Sequence, residues 1–554
     1  MAKAGHKYIF IIGGVMSGVG KGIAASSIAK ILQAKGFVVN PVKIDPYLNV
    51  DAGTMNPTEH GEVFVLRSGL ETDQDMGNYE RFLNKDLSDH DYITSGMVYK
   101  DVIERERNLR YRGKCVEAIP HIRDEIIARL ERAASENGSQ ISVIEIGGTI
   151  GDYQNIMFME AARVMYVKDP DDVLFVMVSY LPIPGKIGEM KTRPTQNAVR
   201  QLNSYGIQPD MIIARSEQAL DKKRKDKIAI MCNLPAEHVI SAPDIESIYD
   251  VPLNFEKDNL SDALLKLLRV KPTHRKTNLR EWGAFVRRLK AAKKTIEIAI
   301  VGKYFDTGDF VLSDAYLSVI EAIKFSAAKL RAKPNIHWVN SKEFEGNGKR
   351  TSGKLKALKK FDGIIVPGGF GETGIEGKLK VIRYAREKKI PYLGLCYGMQ
   401  LAIVEYARNV LRLKDANTVE IDPSAKHPVI DIMPDQKEKL RREDYGGTMR
   451  LGVYPAYLKR GTIARKVYGK EIVEERHRHR YEVNPAYVDK LSAGGMVFSG
   501  ASPDGVLMEI AELPQNVHPF FLGSQFHPEL QARPLAPHPL FTAFLQAALN
   551  KRKK

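Results

Sequence analysis

The chain has 554 residues, enough for two to four domains of ordinary size, and its 44% hydrophobic and 27% charged residues are typical of a folded globular protein. Three cysteines, Cys115, Cys232 and Cys396, are too few and too scattered for a disulfide framework or a zinc site, which favours a reducing cytoplasmic environment. No stretch approaches the ~18 to 20 apolar residues of a membrane span, so we expect no membrane partner.

The formal net charge of +16 raises the question of a nucleic-acid partner. Much of the excess lies in residues 271–294 and in the tail at residues 551–554, and it is not interleaved with aromatic side chains as a nucleic-acid face would be. We therefore interpret these runs as a solvated basic linker and an exposed tail, and expect no nucleic-acid binding. Polyphosphate ligands give a second reason for basic clefts.

The first half of the chain alternates apolar runs with helical patterns. A short apolar run at residues 8–12 predicts a strand, a glycine-rich loop occupies residues 13–22, and residues 23–34 have a helical pattern. Further apolar runs lie at residues 38–44, 141–146, 173–179 and 211–214. This alternation is typical of a parallel sheet with helices on both faces.

The glycine-rich loop joins the first predicted strand to the first helix, where backbone amides and the helix N-terminus can bind an anion. It departs from the strict Walker A pattern, because residue 15 is Val instead of Gly and Lys21 is followed by Gly22 rather than Ser or Thr. A Mg²⁺ ion must therefore find its oxygen ligands elsewhere. Asp75 and Glu145 are our candidates, since Mg²⁺ takes one or two carboxylates plus phosphate oxygens.

The apolar pattern lapses near residue 271 and then restarts. The later runs lie at residues 295–301, 336–339, 363–366 and 392–395. We therefore expect a first α/β domain over residues 1–270, a basic linker over 271–294 and a second α/β domain over 295–554.

Cys396 follows the last of these runs and is flanked by glycines, which permits a sharp strand-to-helix turn. A sulfur at the N-terminus of the next helix is favoured as its thiolate, the reactive form. His527 could take the thiol proton and later protonate a leaving amine, with Glu529 holding the imidazole tautomer. This is the pattern of a cysteine nucleophile with a distant histidine base.

The segments around these residues resemble the class I glutamine amidotransferase family. The matching segments are residues 394–400, 525–529, 367–371 and 476–480 together with Glu420. The resemblance implies that Cys396 attacks the glutamine carboxamide, a glutamyl thioester forms and ammonia leaves, with backbone N–H groups of residues 367–371 stabilising the oxyanion. The implied glutamine-binding residues are Gly369, Tyr397, Gly398, Met399, Gln400, Glu420 and Arg480.

The first half is similar to the synthetase part of the CTP synthase family. The segments that carry this resemblance are residues 13–22, 43–47, 51–55, 60–64, 78–82, 145–149, 191–196 and 206–210. With the glutaminase motifs it covers roughly residues 5–547, and it implies two doubly wound parallel-sheet α/β domains, a P-loop, Rossmann-like synthetase and a flavodoxin-like class I glutaminase. The implied reaction is phosphorylation of the UTP O4 by ATP, followed by displacement of that phosphate with ammonia passed from the glutaminase site.

The family also implies ligand-binding residues. For ATP these are Gly18, Val19, Gly20, Lys21, Gly22, Ile23, Asp75, Pro243, Asp244 and Ile245. For UTP or CTP they are Ser17, Lys43, Asp152, Tyr153, Gln154, Lys191, Thr192, Arg193, Pro194, Thr195, Gln196 and Lys227. Asp75 and Glu145 would bind Mg²⁺. GTP as an activator, CTP as a feedback ligand, a cytoplasmic homotetramer and filaments are further implications.

Two segments depart from the family pattern. Residues 151–154 read Gly-Asp-Tyr-Gln where the family usually has Gly-Asp-Ile-Glu, and residues 111–117 carry Arg112 and Glu117 at positions that are usually neutral. An amide both donates and accepts hydrogen bonds, whereas a carboxylate only accepts. Our hypothesis is that the chemistry is retained while inhibition by CTP, and the response to GTP, are altered.

Two alternatives stay open from the residues alone. A different P-loop amidotransferase, such as a cobyrinic-acid amidating synthetase, would share the ATP loop and the glutaminase motifs, but would have no use for the nucleotide segment at residues 191–196. A P-loop partitioning or filament-forming protein with a degenerate glutaminase fold is disfavoured by the intact Cys396, His527 and Glu529.

Overall fold

The computed structural model describes residues 5–185, 188–274, 277–302, 313–346, 348–369, 371, 373–433, 436 and 446–552. In chain order the strands are β1 (Lys7–Gly14), β2 (Val39–Asp45), β3 (Phe64–Val65), β4 (Glu71–Thr72), β5 (Tyr92–Thr94), β6 (Ile141–Ile146), β7 (Val173–Tyr180), β8 (Met211–Ser216), β9 (Val239–Pro243), β10 (Lys294–Gly302), β11 (Ala332–Asn340), β12 (Gly363–Val366), β13 (Tyr392–Leu395), β14 (Ala416–Thr418), β15 (His427–Ile432), β16 (Arg450–Leu458), β17 (Ile472–His479), β18 (Tyr481–Val483), β19 (Val497–Ala501), β20 (Met508–Glu512) and β21 (Phe521–Ser524).

The α-helices are α1 (Lys21–Ala34), α2 (Pro57–His60), α3 (Gln74–Leu83), α4 (Ser95–Arg107), α5 (Arg123–Glu136), α6 (Ile156–Lys168), α7 (Arg193–Ser204), α8 (Lys222–Met231), α9 (Val251–Phe255), α10 (Leu260–Leu267), α11 (Arg280–Ala291), α12 (Leu317–Lys329), α13 (Lys349–Ala357), α14 (Ile375–Glu387), α15 (Tyr397–Asn409), α16 (Ile463–Tyr468), α17 (Pro485–Ala493) and α18 (Pro539–Arg552). Within the described ranges, none of these helices combines the length and apolarity that crossing a bilayer requires.

The first compact unit is built on a parallel sheet with the strand order β5-β2-β6-β1-β7-β8-β9. Side chains alternate between the two faces of a strand, and both faces of β1 are buried: Phe10 joins one core with α5 and α6, while Ile9 and Ile11 are also fully buried. Burial on both faces requires cover on both sides of the sheet, as the continuous apolar runs predicted.

The second compact unit contains a sheet of order β11-β10-β12-β13-β21-β20-β19-β16-β17. Its first five strands are parallel neighbours, and the rest pair antiparallel. The α/β class is confirmed, but the antiparallel half was not anticipated. The parallel part positions the chemistry, because β13 and β21 end side by side just before Cys396 and Gln525.

The compact units do not follow the expected boundaries. Residues 52–74, expected in the first domain, belong to the second unit with residues 287–554, while residues 75–286 belong to the first. Polar contacts explain the assignment of residues 52–74: Arg476 donates to the Val65 carbonyl at 3.0 Å, and Arg478 Nε donates to Glu71 Oε1 at 2.7 Å.

The basic segment 271–294, expected as a solvated linker, contains helix α11. Trp282 and Phe285 are buried in the first unit, and Trp282 Nε1 donates to the Tyr249 carbonyl at 2.8 Å. Arg287 and Arg288 on the same helix are exposed, as expected for solvated charges. The apolar side of the helix is buried, so the segment as a whole is not a solvated linker. Residues 275–276, and 553–554 of the basic tail, lie outside the described residues.

His518 supplies a pH-dependent contribution to the stability of the second unit. It is buried, its Nε2 lies 3.2 Å from the Ala385 carbonyl oxygen, and its Nδ1 accepts from the Phe520 N–H at 3.2 Å. A carbonyl only accepts and an N–H only donates, so the neutral tautomer protonated at Nε2 satisfies both. Burial lowers the pKa of His518 to about 4.

We expect acid to remove part of this stability. The unfolded chain binds a proton near pH 6.5 and the folded one near pH 4, so stability is present above the unfolded pKa and lost as pH falls between these values. The stability advantage of the wild type over His518→Asn should therefore shrink by about 2 kcal/mol between pH 7.5 and 5, as measured by denaturant unfolding of both proteins. An advantage that stays constant with pH would contradict this.

Candidate active sites

The glycine-rich loop connects β1 to α1, as the sequence predicted. Val15 and Gly20 both have left-handed backbone conformations, with φ angles of 78° and 88°. Lys21 at the start of α1 is buried and donates from Nζ to the Gly148 carbonyl at 2.8 Å. The loop is therefore attached to the segment that follows β6.

Asp75 explains why glycine follows Lys21. A Cβ added at Gly22 would lie 2.2 Å from Asp75 Oδ1, well inside van der Waals contact. The Asp75 carboxylate thus occupies the space that a Walker A Ser or Thr side chain would need. A carboxylate from α3 therefore stands where the loop hydroxyl of a Walker A motif would be.

Lys43 lies close to three carboxylates near the glycine-rich loop. Its Nζ lies 2.5 Å from Asp75 Oδ2, 3.0 Å from Glu145 Oε1 and 3.6 Å from Asp45 Oδ1. The second oxygen of Glu145 accepts a hydrogen bond from the Tyr79 hydroxyl. The ranges that the structure describes contain no group of three or more His, Cys, Asp or Glu side chains placed to hold a metal by themselves.

Burial and charge act against each other in this cluster. Burial raises the pKa of Glu145 and of Asp45. Burial would also raise the pKa of Asp75, but the charge and hydrogen bond of Lys43 outweigh it, so that pKa is lowered. Burial lowers the pKa of Lys21 despite the nearby carboxylates. A group that brings more negative charge, such as a triphosphate, would stabilise the charged form of both lysines.

A cavity of ≈ 870 Å³, which includes space open to solvent, lies beside the loop. Five of the residues predicted to bind ATP line it: Gly20, Ile23, Pro243, Asp244 and Ile245. Sequence reasoning missed Arg215, which also lines the cavity, donates to Asp244, and approaches the Val19 carbonyl at 3.4 Å.

The predicted UTP segment at residues 191–196 spans the N-terminus of α7, which begins at Arg193. This helix packs against the end of β1, since a Cβ at Gly14 would lie 3.1 Å from Ala198 Cβ. Thr195 and Gln196 are buried, and Gln196 Nε2 donates to Thr192 Oγ1 at 3.0 Å. No described group is a hydrogen-bond partner of Gln196 Oε1.

The other predicted nucleotide-binding residues are more exposed. Ser17, Tyr153, Gln154 and Lys227 are exposed, Tyr153 at 90%. Asp152 is held by its own turn, where its carboxylate accepts from the Thr149 N–H at 2.7 Å.

Cys396 is the N-cap residue of α15 and has backbone angles of φ 48° and ψ −100°, the sharp strand-to-helix turn that the sequence predicted. The turn requires glycine at residue 398, because a Cβ there would lie 2.0 Å from the Val366 carbonyl oxygen. The sulfur lies 3.8 Å from the Arg478 carbonyl oxygen and 3.6 Å from Gln525 Nε2.

The His527 ring is held by Glu529, with Nδ1 2.7 Å from Glu529 Oε1. Burial alone would lower the pKa of His527, but Glu529 and Cys396 outweigh it and raise the pKa to about 10. The arrangement favours an imidazolium beside the cysteine.

Cys396, His527 and Glu529 line one pocket with Gly368 and Gly369, and its volume is ≈ 670 Å³ including open space. Residues 52–74 add Pro57, Glu62 and Val63 to its wall, and β17 adds Arg478. Of the predicted oxyanion loop, residue 370 lies outside the described residues. The geometry suits attack by a thiolate on a carbonyl carbon.

Of the predicted glutamine-binding residues, Gly369 lines this pocket, whereas Tyr397, Gly398, Met399, Gln400, Glu420 and Arg480 are not among its lining residues. Glu420 accepts from the Gly371 N–H at 2.8 Å, and the Tyr397 hydroxyl donates to the Gly371 carbonyl at 3.3 Å. Arg480 is buried and donates to Gln436 Oε1 at 2.9 Å. Met399 is fully buried against Gly523.

Comparison with known proteins matches both halves of the chain. Residues 7–270 match the family model described as CTP synthase N-terminus, and residues 311–547 match glutamine amidotransferase class-I. Relatives named CTP synthase from Thermococcus gammatolerans and Pyrococcus furiosus are each 49% identical to this chain, and each alignment covers 99% of both chains. The chain belongs to the CTP synthase family.

Among solved structures, the glutaminase domain of Trypanosoma brucei CTPS with bound acivicin is 36% identical, with a TM-score of 0.42, covering 46% of this chain and 94% of that one. The family membership agrees with the resemblance found in the sequence. As a CTP synthase family enzyme, the chain catalyses the ATP-dependent amination of UTP with glutamine as nitrogen donor.

Proposed function

We propose that the two sites divide this reaction between the two units. The residue cluster around Lys21, Lys43 and Asp75 would transfer the γ-phosphoryl group of ATP to O4 of UTP, and the Cys396 pocket would supply ammonia. The observation that carries this proposal is the coexistence of a lysine-carboxylate cluster at the glycine-rich loop with a cysteine, histidine and glutamate in one pocket.

In the glutaminase step, the Cys396 thiolate attacks the carboxamide carbon, and backbone N–H groups near Gly368 and Gly369 stabilise the oxyanion. His527 gives its proton to the departing nitrogen as the C–N bond breaks, and then takes one from the water that hydrolyses the thioester. Glu529 keeps the imidazole oriented, which its 2.7 Å contact supports. The nitrogen must leave as neutral ammonia, because ammonium has no lone pair.

In the synthetase step, Lys21 and Lys43 counter the phosphate charge, and Pro243, Asp244 and Ile245 line the adenine site. The buried Gln196 Oε1 would accept a hydrogen bond from N3 of uracil. The exposed Ser17 and Lys227, together with the partly buried Lys191, would bind the UTP triphosphate.

Asp75 and Glu145 fit a Mg²⁺ ion. Asp75 stands where a Walker A hydroxyl ligand would be, and both Asp75 and Glu145 form ion pairs with Lys43. A bound Mg²⁺ would neutralise charge on the transferring phosphoryl group. The Lys43 ammonium, which contacts both carboxylates, would pair with phosphate oxygens of the bound nucleotides.

CTP feedback, GTP activation, a cytoplasmic location and a homotetramer, with filaments as a further assembly, are part of the same proposal. They rest on the family membership, and the cytoplasmic location rests also on three free cysteines.

CTP inhibition is where this chain should differ from its family. Restoring the usual carboxylate with Gln154→Glu should change the CTP inhibition constant by roughly tenfold, the effect of about one hydrogen bond. Initial rates at several CTP concentrations give the constant, with Gln515→Glu as the matched control, because it makes the same substitution at an exposed glutamine outside the predicted binding residues. Identical constants for wild type and Gln154→Glu would end the idea.

The proposal as a whole is tested by following cytosine absorbance with UTP, ATP, Mg²⁺ and glutamine, with and without GTP. Omission of Mg²⁺ should abolish CTP formation with either glutamine or ammonium, whereas glutamine hydrolysis alone should persist. CTP formation that is indifferent to metal removal would contradict the roles of Asp75 and Glu145.

A further inference from the structure

The catalytic sulfur has a neighbour to which neither the family resemblance nor the proposed mechanism gives a role. Gln525 is fully buried, and its side-chain Nε2 lies 3.6 Å from Cys396 Sγ. The backbone fixes both residues: the Cys396 N–H donates to the Ser524 carbonyl at 2.7 Å, and the Gln525 N–H donates to the Glu509 carbonyl at 2.8 Å. The contact therefore follows from the adjacent ends of β13 and β21.

A chain of hydrogen bonds determines which end of the Gln525 amide faces the sulfur. The Tyr481 backbone carbonyl can only accept, so Gln400 must present its NH₂ group, and Nε2 lies 2.9 Å from that oxygen. The same nitrogen lies 3.2 Å from Gln525 Oε1. With its oxygen held by Gln400, Gln525 must direct its own NH₂ group at Cys396.

The opposite orientation is unfavourable. Flipping the Gln525 amide would place two NH₂ groups face to face and turn a carbonyl oxygen toward the sulfur. Gln400 is almost fully buried, so water offers little compensation for the lost hydrogen bonds. The relay from Tyr481 through Gln400 to Gln525 thus has one satisfactory arrangement.

The two neighbours of the sulfur have opposite effects. The Arg478 carbonyl can accept only from the neutral thiol, whereas the Gln525 N–H donates more strongly to the thiolate. We propose that Gln525 is a further catalytic residue of the glutaminase, stabilising the Cys396 thiolate through its side-chain N–H, and that Gln400 is a positioning residue that orients it. This inference rests on the proposed role of Cys396 as nucleophile.

Gln400 would then orient Gln525, which differs from the glutamine binding implied for it by the family resemblance. A residue that binds substrate affects KM when it is removed, whereas one that orients a donor to the sulfur affects the reactivity of the free enzyme. The two tasks can be distinguished without any substrate.

The test measures the rate of Cys396 alkylation by iodoacetamide as a function of pH in the full chain. A Cys115→Ser background removes the exposed thiol, and Cys232 is buried with its pKa raised to about 11. The other charged and titratable side chains lining the pocket remain in every variant: Glu62, Tyr316, Arg478, His527 and Glu529.

In Gln525→Met we expect the midpoint of the alkylation profile to move to higher pH by about one unit, and kcat for glutamine hydrolysis to fall about tenfold at pH 7. Gln400→Met should move the midpoint in the same direction, and the double variant should show little additional shift, because both act on one contact. Circular dichroism and thermal unfolding verify that each variant is folded, and ammonia-dependent CTP formation verifies that the first unit is intact.

An unchanged alkylation midpoint in a folded Gln525→Met would overturn the proposal. If that variant does not fold, the Gln400→Met variant provides the test. A shift of its alkylation midpoint to higher pH supports the proposal. An alkylation profile identical to that of the wild type, with a raised KM for glutamine, overturns it. Because alkylation needs no glutamine, these results are distinguishable from a wild type that fails to hydrolyse glutamine, which would overturn the proposed function instead.

Discussion

Replacement of Cys396 with alanine is expected to abolish glutamine-dependent CTP formation while leaving ammonia-dependent formation largely intact. The sulfur is the only atom of the described pocket placed both at a helix N-terminus and beside His527, so nothing else there can form the thioester. Loss of a nucleophile lowers turnover by about 10³-fold or more. Steady-state rates with glutamine and with ammonium chloride, on the same preparation, give the two numbers.

The matched control is Cys115→Ser, which removes an exposed thiol in the first unit and should leave both rates unchanged. Two outcomes would contradict the assignment. Loss of both activities in folded Cys396→Ala would mean that the residue serves the synthetase as well. Retention of glutamine-dependent turnover would mean that another group is the nucleophile.

Replacement of Gly22 with alanine is expected to impair CTP formation and to spare glutamine hydrolysis, the reverse of the effect expected for Cys396→Ala. The new Cβ would lie 2.2 Å from Asp75 Oδ1, so Asp75 or the start of α1 must move. A displacement of about 1 Å at a reacting centre can cost about 10²-fold in rate. We expect CTP formation to fall by about that factor with either nitrogen source, while glutamine hydrolysis in the second unit continues.

Gly353→Ala is the control for this change, because a Cβ at Gly353 in helix α13 meets nothing within 4 Å. Alanine is also the better helix former, so this variant should be at least as stable as the wild type. A Gly22→Ala enzyme with ordinary CTP formation would show that the close approach of Asp75 has no part in phosphoryl transfer.

The sequence was most informative where a local pattern carries the structure. The apolar run at residues 8–12 lies within β1, and the glycine loop after it leads into α1. The glycines around Cys396 predicted the sharp turn that its backbone angles show. In these places a few neighbouring residues determine the local structure, so the local sequence is enough to predict it.

The sequence was less informative where the structure depends on distant pairings. The antiparallel strands β16, β17, β19 and β20 pair across the sheet, and the local sequence of each strand does not indicate its partner. The assignment of residues 52–74 to the second unit depends on arginines more than 400 positions later, as the Val65–Arg476 separation of 411 residues illustrates. The hydrophobic periodicity of a sequence gives no information about such long-range contacts.

Single polar residues at a site were the hardest to find. Arg215 follows an apolar strand run like many other arginines, and only the cavity beside Asp244 identifies it. Gln525 belongs to the segment that carried the glutaminase resemblance, yet its contact with Cys396 depends on the amide orientation that Gln400 imposes. Orientation of a side chain leaves no signature in a sequence.

The most direct measurement follows labelled amide nitrogen from glutamine into product. With UTP, ATP, Mg²⁺ and glutamine labelled at its side-chain nitrogen, mass spectrometry of the nucleotide pool should find the label in the amino group of CTP, with ATP consumed in step with it. A protein that forms no labelled CTP, and consumes no ATP when UTP and ammonium are supplied together, would contradict the account.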